Sequence, residues 1–215
     1  MPETKNIVIL ISGRGSNMQA LLEAKLPCSI AAVISNRADV EGLNIARSHH
    51  IPTAVISHRD FNDRESFDAA LANEIDRHQP TLVVLAGFMR ILTPAFVDHF
   101  ASRLINIHPS LLPAYAGVNT HERALKDGVK LHGCTVHFVT ADLDHGPIII
   151  QAAVPVRADD TATTLAARVL HEEHRIFPQA VRWLCESKVW LDTNGRVASS
   201  LLLQSGSALI SPGLD

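Results

Sequence analysis

The sequence predicts an α/β fold: a doubly wound, mostly parallel, Rossmann-like sheet with an antiparallel pair of strands toward its C-terminal end. Three observations predict it. Residues 6–11, Asn-Ile-Val-Ile-Leu-Ile, form a near-continuous β-branched apolar run, which suits a parallel strand covered on both faces. Strand-like runs and helix-patterned segments then alternate as far as residue 108, and parallel strands need such long crossovers. Beyond residue 130 the pattern changes. Strand-like runs at 133–140 and 147–156 are separated only by residues 141–146, short enough for antiparallel pairing.

After the first strand the chain turns through Ser12-Gly13-Arg14-Gly15-Ser16-Asn17, and Met18, Leu21 and Leu22 then recur at helical spacing. Further strands are expected at 30–34, 54–56, 82–86 and 104–107. Residues 63–78 are the clearest crossover helix, because Phe67, Ala70, Leu71 and Ile75 keep an i, i+3, i+4 pattern and Pro80 marks where it has stopped. A long helix over 161–184 covers the sheet with Leu165, Val169, Ile176 and Val181, and Pro178 should kink it or end it early. No repeat or linker divides the chain, so a single domain over residues 1–198 is expected. Residues 199–215, rich in Ser, Gly and Leu, should form a loosely held tail.

The 215 residues carry 47% apolar and 19% charged side chains with a net charge of -3, enough to bury a sizeable core. The basic residues are scattered rather than striped, which argues against a nucleic-acid partner. No apolar run approaches the ~20 residues of a membrane helix, and no basic flank with an apolar stretch opens the chain. Cys28, Cys134 and Cys185 are widely spaced and form no CxxC pair, so they build neither a disulfide framework nor a zinc ribbon. A cytoplasmic location fits them. His171 and His174 lie three apart on the late helix, but no Cys or third His nearby completes a ligand set. No metal is expected.

In a doubly wound sheet, ligands bind beyond the carboxyl ends of the strands, and four such places carry chemistry. Gly15, Ser16 and Asn17 follow the first strand, where glycines allow close backbone approach and helix-start N–H groups suit a phosphate. It is only half a dinucleotide fingerprint, since Met18 stands where a third Gly is expected and the second strand ends Ser35-Asn36 without a ribose-binding acid. Phe88, Met89 and Arg90 end a central strand and suit a planar, partly anionic ligand. Asn106 and His108 share one strand face just before Pro109, pairing an amide donor with a titratable imidazole as an acyl-transfer intermediate requires. Residues 140–147 carry Asp142 and Asp144 in a turn-rich segment, and a carboxylate there can pair with an imidazolium and raise its pKa.

These segments, ISGRGSN at 11–17, VVLAGFMRIL at 83–92, NIHPSLLP at 106–113 and FVTADLDHGPIIIQ at 138–151, resemble the folate-dependent formyltransferases. The likeness runs over residues 6–184, and the ISGxGSN loop narrows it to the phosphoribosylglycinamide branch. The resemblance implies the formyltransferase fold and a catalytic trio of Asn106, His108 and Asp144. It implies that Gly15, Ser16, Asn17 and Glu173 contact glycinamide ribonucleotide. It assigns 10-formyltetrahydrofolate, as co-substrate, to Arg64, Met89, Arg90, Ile91, Leu92, Asn106, Thr140, Ala141, Asp142, Leu143 and Asp144. Two departures stand out: Asn119 replaces a His, and His145 replaces the first Gly of an Asp-Gly-Gly-Pro turn.

The activity so implied is formyl transfer from 10-formyltetrahydrofolate to the amine of N1-(5-phosphoribosyl)glycinamide in de novo purine biosynthesis. Partners would be these small molecules, with neither nucleic acid nor membrane and no metal, in a monomer or homodimer. The alternatives are a formyltetrahydrofolate hydrolase, formyl transfer to another amine, or a non-catalytic nucleotide-binding module. A methionyl-tRNA formyltransferase is expected to need a further basic domain after residue 215.

Overall fold

The first strand, β1 (Asn6–Ile11), is buried on both faces because its alternate side chains enter two different cores. Ile7, Ile9 and Ile11 enter one cluster, Val8 and Leu10 the other. The computed structural model describes residues 5–201. Around β1, the strands β2 (Ser29–Ser35), β3 (Thr53–Val55), β4 (Leu82–Leu85), β5 (Leu104–His108), β6 (Leu131–Phe138) and β7 (Ile148–Pro155) complete a seven-stranded sheet in the order β3-β2-β1-β4-β5-β6-β7. The first five strands pair in parallel, β6 runs antiparallel to β5, and β7 antiparallel to β6. The neighbours β1 and β4 lead their crossovers to opposite sides, which opens a crevice at their carboxyl ends.

Helices α1 (Ser16–Glu23), α2 (Glu41–Ser48) and α6 (Ala162–Cys185) pack on the Ile7 face through Met18, Leu21, Leu43, Leu165 and Val169. Helices α3 (Arg64–Asp76) and α4 (Pro94–His99) cover the opposite face through Phe67, Leu71, Ile75 and Phe96. A short α5 (Thr120–Asp127) adds Leu125 to the first face. On β5 and β6 the apolar residues Ile105, Ile107, Cys134 and Val136 all point to the first face. Period-2 alternation therefore turns Asn106, His108, Thr135 and His137 to the other. There, loops take the place of a helical layer, and a polar site becomes possible.

Helix ends follow local chemistry. Asp63 Oδ1 accepts from Ser66 N–H at 2.7 Å to start α3, and Thr161 and Thr164 form a reciprocal capping box at the start of α6. Of the kink or early end expected at Pro178, the early end does not occur, since α6 continues past it to Cys185. Pro178 is buried beside Phe177, Ala180 and Val181, and packing of that apolar face outweighs the lost hydrogen bond. A hairpin that the sequence reading did not anticipate, β8 (Val189–Leu191) with β9 (Val197–Ser199), follows α6. The expected domain boundary after residue 198 falls inside β9, and residues 202–215 of the expected tail lie outside the described residues. No helix among the described residues is long and apolar enough to cross a membrane.

Candidate active site

Two groups of residues assemble where the strands end and where the sheet face lacks a helix. The first surrounds β5. His108 and the side chain of Asp144 are both buried, with His108 Nδ1 3.5 Å from Asp144 Oδ2. His108 Nε2 lies 3.0 Å from the Tyr115 carbonyl. A carbonyl only accepts, so Nε2 carries a hydrogen, and Nδ1 meets the carboxylate favourably only when it is protonated as well. The ring is therefore seated as an imidazolium would be. Asp144 has a left-handed backbone, φ 56°, and its Oδ2 also accepts from Gly117 N–H at 2.8 Å.

His137, absent from the sequence-based list, completes this group. It is the direct cross-strand partner of Asn106. Its Nδ1 donates to the Phe138 carbonyl at 2.9 Å, and its Nε2 lies 3.3 Å from Asn106 Nδ2 and 4.0 Å from Asp144 Oδ1. Burial pushes its pKa down, against smaller opposing effects of the Phe138 carbonyl and Asp144. A neutral ring with its hydrogen on Nδ1 has a bare Nε2, which accepts one Asn106 amide hydrogen and fixes which way that amide faces. The signal was available in His132-Gly133-Cys134-Thr135-Val136-His137-Phe138, where polar and apolar residues alternate as they do around Asn106 and His108.

Beside this group runs a cleft of about 110 Å³ lined by Arg90, Ile91, Leu92, Asn106, His137, Thr140, Ala141, Leu143 and Asp144, with Leu85, Phe88, Val97 and Val139 forming its apolar wall. The pairing of an apolar wall with a few polar groups suits a largely planar ligand.

The second group lies at the start of α1. Gly15 precedes the helix with φ 79°, and no side chain caps it, so the first N–H groups are left for a ligand. A Cβ at Gly15 would stand 2.9 Å from the Gly42 Cα, so α2 crosses hard against this loop. Gly42 was another residue the sequence reading passed over. Asn17 Nδ2 donates to Glu173 Oε2 at 2.6 Å, joining residues 156 positions apart. Burial pushes the Glu173 carboxyl up and the Asn17 amide opposes it. Among the described residues no group of three or more His, Cys, Asp or Glu is arranged to hold a metal ion.

The profile of the family described as formyl transferase matches residues 5–181. The chain belongs to the formyl transferase family. It is 50% identical over 193 residues to phosphoribosylglycinamide formyltransferase of Escherichia coli (strain K12), covering 88% of this chain and 91% of the relative. The structure of phosphoribosylglycinamide formyltransferase from Coxiella burnetii superposes with a TM-score of 0.88 at 48% identity, covering 92% of this chain and 94% of the other. A formyltetrahydrofolate deformylase from Pseudomonas syringae pv. tomato also superposes, with a TM-score of 0.85 at 31% identity over 92% of this chain and 66% of that one.

Within this formyl transferase, the structure places the expected site residues unequally. Arg64 opens α3 and is exposed, and Met89 and Asp142 are also exposed; none of the three lines the cleft. The two departures from the family pattern have local explanations. Asn119 adopts φ 56° before α5, a left-handed conformation that Asn tolerates. His145 is exposed and its Nδ1 lies 2.6 Å from the Leu143 carbonyl. The glycine that this turn requires is Gly146, where a Cβ would collide with the Phe138 carbonyl.

Proposed function

We propose that the chain transfers a formyl group from 10-formyltetrahydrofolate to the amine of N1-(5-phosphoribosyl)glycinamide, giving formylglycinamide ribonucleotide and tetrahydrofolate. The observation that carries this reading is the quartet of Asn106, His108, His137 and Asp144, its two histidines buried, beside an apolar cleft. The formyl folate lies in the cleft along the segments 89–92 and 140–144, of which Met89 and Asp142 stand outside the lining. The nucleotide phosphate meets the N–H groups of Ser16 and Asn17 after Gly15, close to Glu173.

The amine nitrogen attacks the formyl carbon, and the carbonyl electron pair moves to oxygen. Asn106, with one amide hydrogen held by His137, offers the other to that oxygen. As the electron pair returns from oxygen and the bond from the formyl carbon to the folate nitrogen breaks, that nitrogen takes a proton from the positively charged His108, and the ring recovers a proton from the attacking nitrogen, which requires its Nε2 to exchange the Tyr115 carbonyl for the ligand. Asp144 holds the ring in place and balances its charge. One preorganised oxyanion donor is worth ~10²–10³ in turnover, and a positioned acid–base group ~10²–10⁴. The three free cysteines suit a reducing cytoplasm.

The likeness to a deformylase favours one rival, in which water replaces the amine. Mixing the protein with 10-formyltetrahydrofolate, with and without glycinamide ribonucleotide, separates the two. Tetrahydrofolate release only when the ribonucleotide is present is the expected result. Release without it establishes the hydrolase, and no release in either mixture rejects both.

A further inference from the structure

The segment 89–92 combines exposed apolar side chains with tightly held ends. Met89 is 69% and Ile91 58% exposed, so few contacts of their own order them. At one end, Met89 N–H donates to Ser12 Oγ at 2.8 Å, and that hydroxyl donates in turn to Asn36 Oδ1 at 2.6 Å. At the other, Thr93 N–H donates to Asp68 Oδ2 at 2.6 Å. Ser12, Asn36 and Asp68 are all buried, and a buried side chain in a packed surround is a fixed point.

A second path leads from the middle of the segment back to the first end. The Arg90 guanidinium stands over the Phe67 ring, 5.9 Å from its centroid, and Phe67 meets His58 edge-on at 6.3 Å. His58 Nδ1 lies 3.2 Å from Asn36 Nδ2, which returns the path to Ser12. Asn36 directly follows β2, where a dinucleotide-binding sheet would present its ribose-binding acid. Here that position faces inward and braces the neighbouring loop.

We propose that Ser12 and Asp68 are positioning residues that clamp the backbone of residues 89–92, one at each end, in the shape that receives the formyl folate. Neither touches the ligand. The proposal rests on the reading that 89–92 contact the folate. A loop already tied at both ends loses little freedom when the ligand arrives, so the clamp acts on folate affinity.

Steady-state kinetics of the full chain test this with Ser12→Ala, Asp68→Ala and Asp68→Asn, and with Arg90→Ala to report on the underlying reading. Ser12→Ala and Asp68→Ala each strip a main-chain N–H of its acceptor and should raise KM for 10-formyltetrahydrofolate about tenfold, leaving KM for the ribonucleotide and kcat nearly unchanged. Asp68→Asn keeps an amide oxygen for Thr93 and should restore the wild-type KM. Equal increases in both KM values, or a fall in kcat alone, overturn the clamp. So does a raised folate KM in Arg90→Ala without one in Ser12→Ala. If Arg90→Ala leaves folate KM unchanged, the reading of 89–92 fails and the clamp with it. Should Asp68→Ala not fold, Ser12→Ala decides.

Discussion

Asn106 and His137 face each other across the β5–β6 ladder, and their pairing sets what each can do. Replacing His108 by Ala or Asp144 by Asn should each lower turnover by about a hundredfold or more with little change in either KM; wild-type turnover in either variant contradicts the assigned roles. His137→Phe frees the Asn106 amide to turn and should lower turnover by about tenfold to a hundredfold, read as a fall in kcat at constant substrate KM. The Asn106 and His108 pair was legible in the sequence because alternation and a closing proline are local signals. The Tyr115 carbonyl and Gly117 N–H were not, because backbone groups have no identity until the chain between β5 and α5 is folded over the site. The thiols differ just as sharply. Burial pushes Cys134 up to about 12, whereas the Cys185 thiol, with Arg182 and Lys5, draws Cys28 down. Alkylation near pH 8 should therefore modify Cys28 and spare Cys134, and mass spectrometry of the digested protein shows the order.

Elements carry these residues with uneven tolerance. In the loop before α1, Gly15→Ala would place a methyl against Gly42 at a positive φ, so ribonucleotide KM should rise while folate KM stays near wild type. Thr161→Ala removes one half of the capping box on α6 and should cost about 1 kcal/mol of stability, measured by urea titration. The strands β1 and β4 were legible from their apolar runs because each is buried on both faces. Helix α6 outlasted its proline because long-range packing against β6 and β7 decides its length, and sequence periodicity does not report that. The β8–β9 hairpin had a signal in Asn194-Gly195 between two short apolar runs. Its strands have three residues each, too few for alternation to stand out.

Across the whole molecule, the buried His132 and His137 and the half-buried His121 share one preference for the neutral form. His132, 1% exposed, is held down to about 4 by burial, with the nearby His121 adding to it. The two rings approach with Nδ1 and Nε2 3.1 Å apart, a contact that holds one hydrogen. His121 and His137 are lowered as well, in both cases mainly by burial. The unfolded chain therefore binds protons first as pH falls below the ordinary value of 6.5. Stability is complete above that value and is lost on acidification toward the folded value, about 4 for His132. Urea midpoints should fall between pH 7.5 and pH 5, and His132→Gln should flatten the decline; a midpoint that rises on acidification contradicts it.

The Asn106 amide and its His137 partner belong to neighbouring interior strands of the sheet, β5 and β6, while the groups that close over them, at residues 109–119 and 139–147, are loops. Those two layers should keep different clocks in heavy water. The main-chain amides of Asn106 and His137 lie within the ladder and should exchange only when the whole molecule opens. Gly117 N–H, held by one carboxylate oxygen, should exchange far sooner, so the roof can lift and reseat many times during the life of an undisturbed floor.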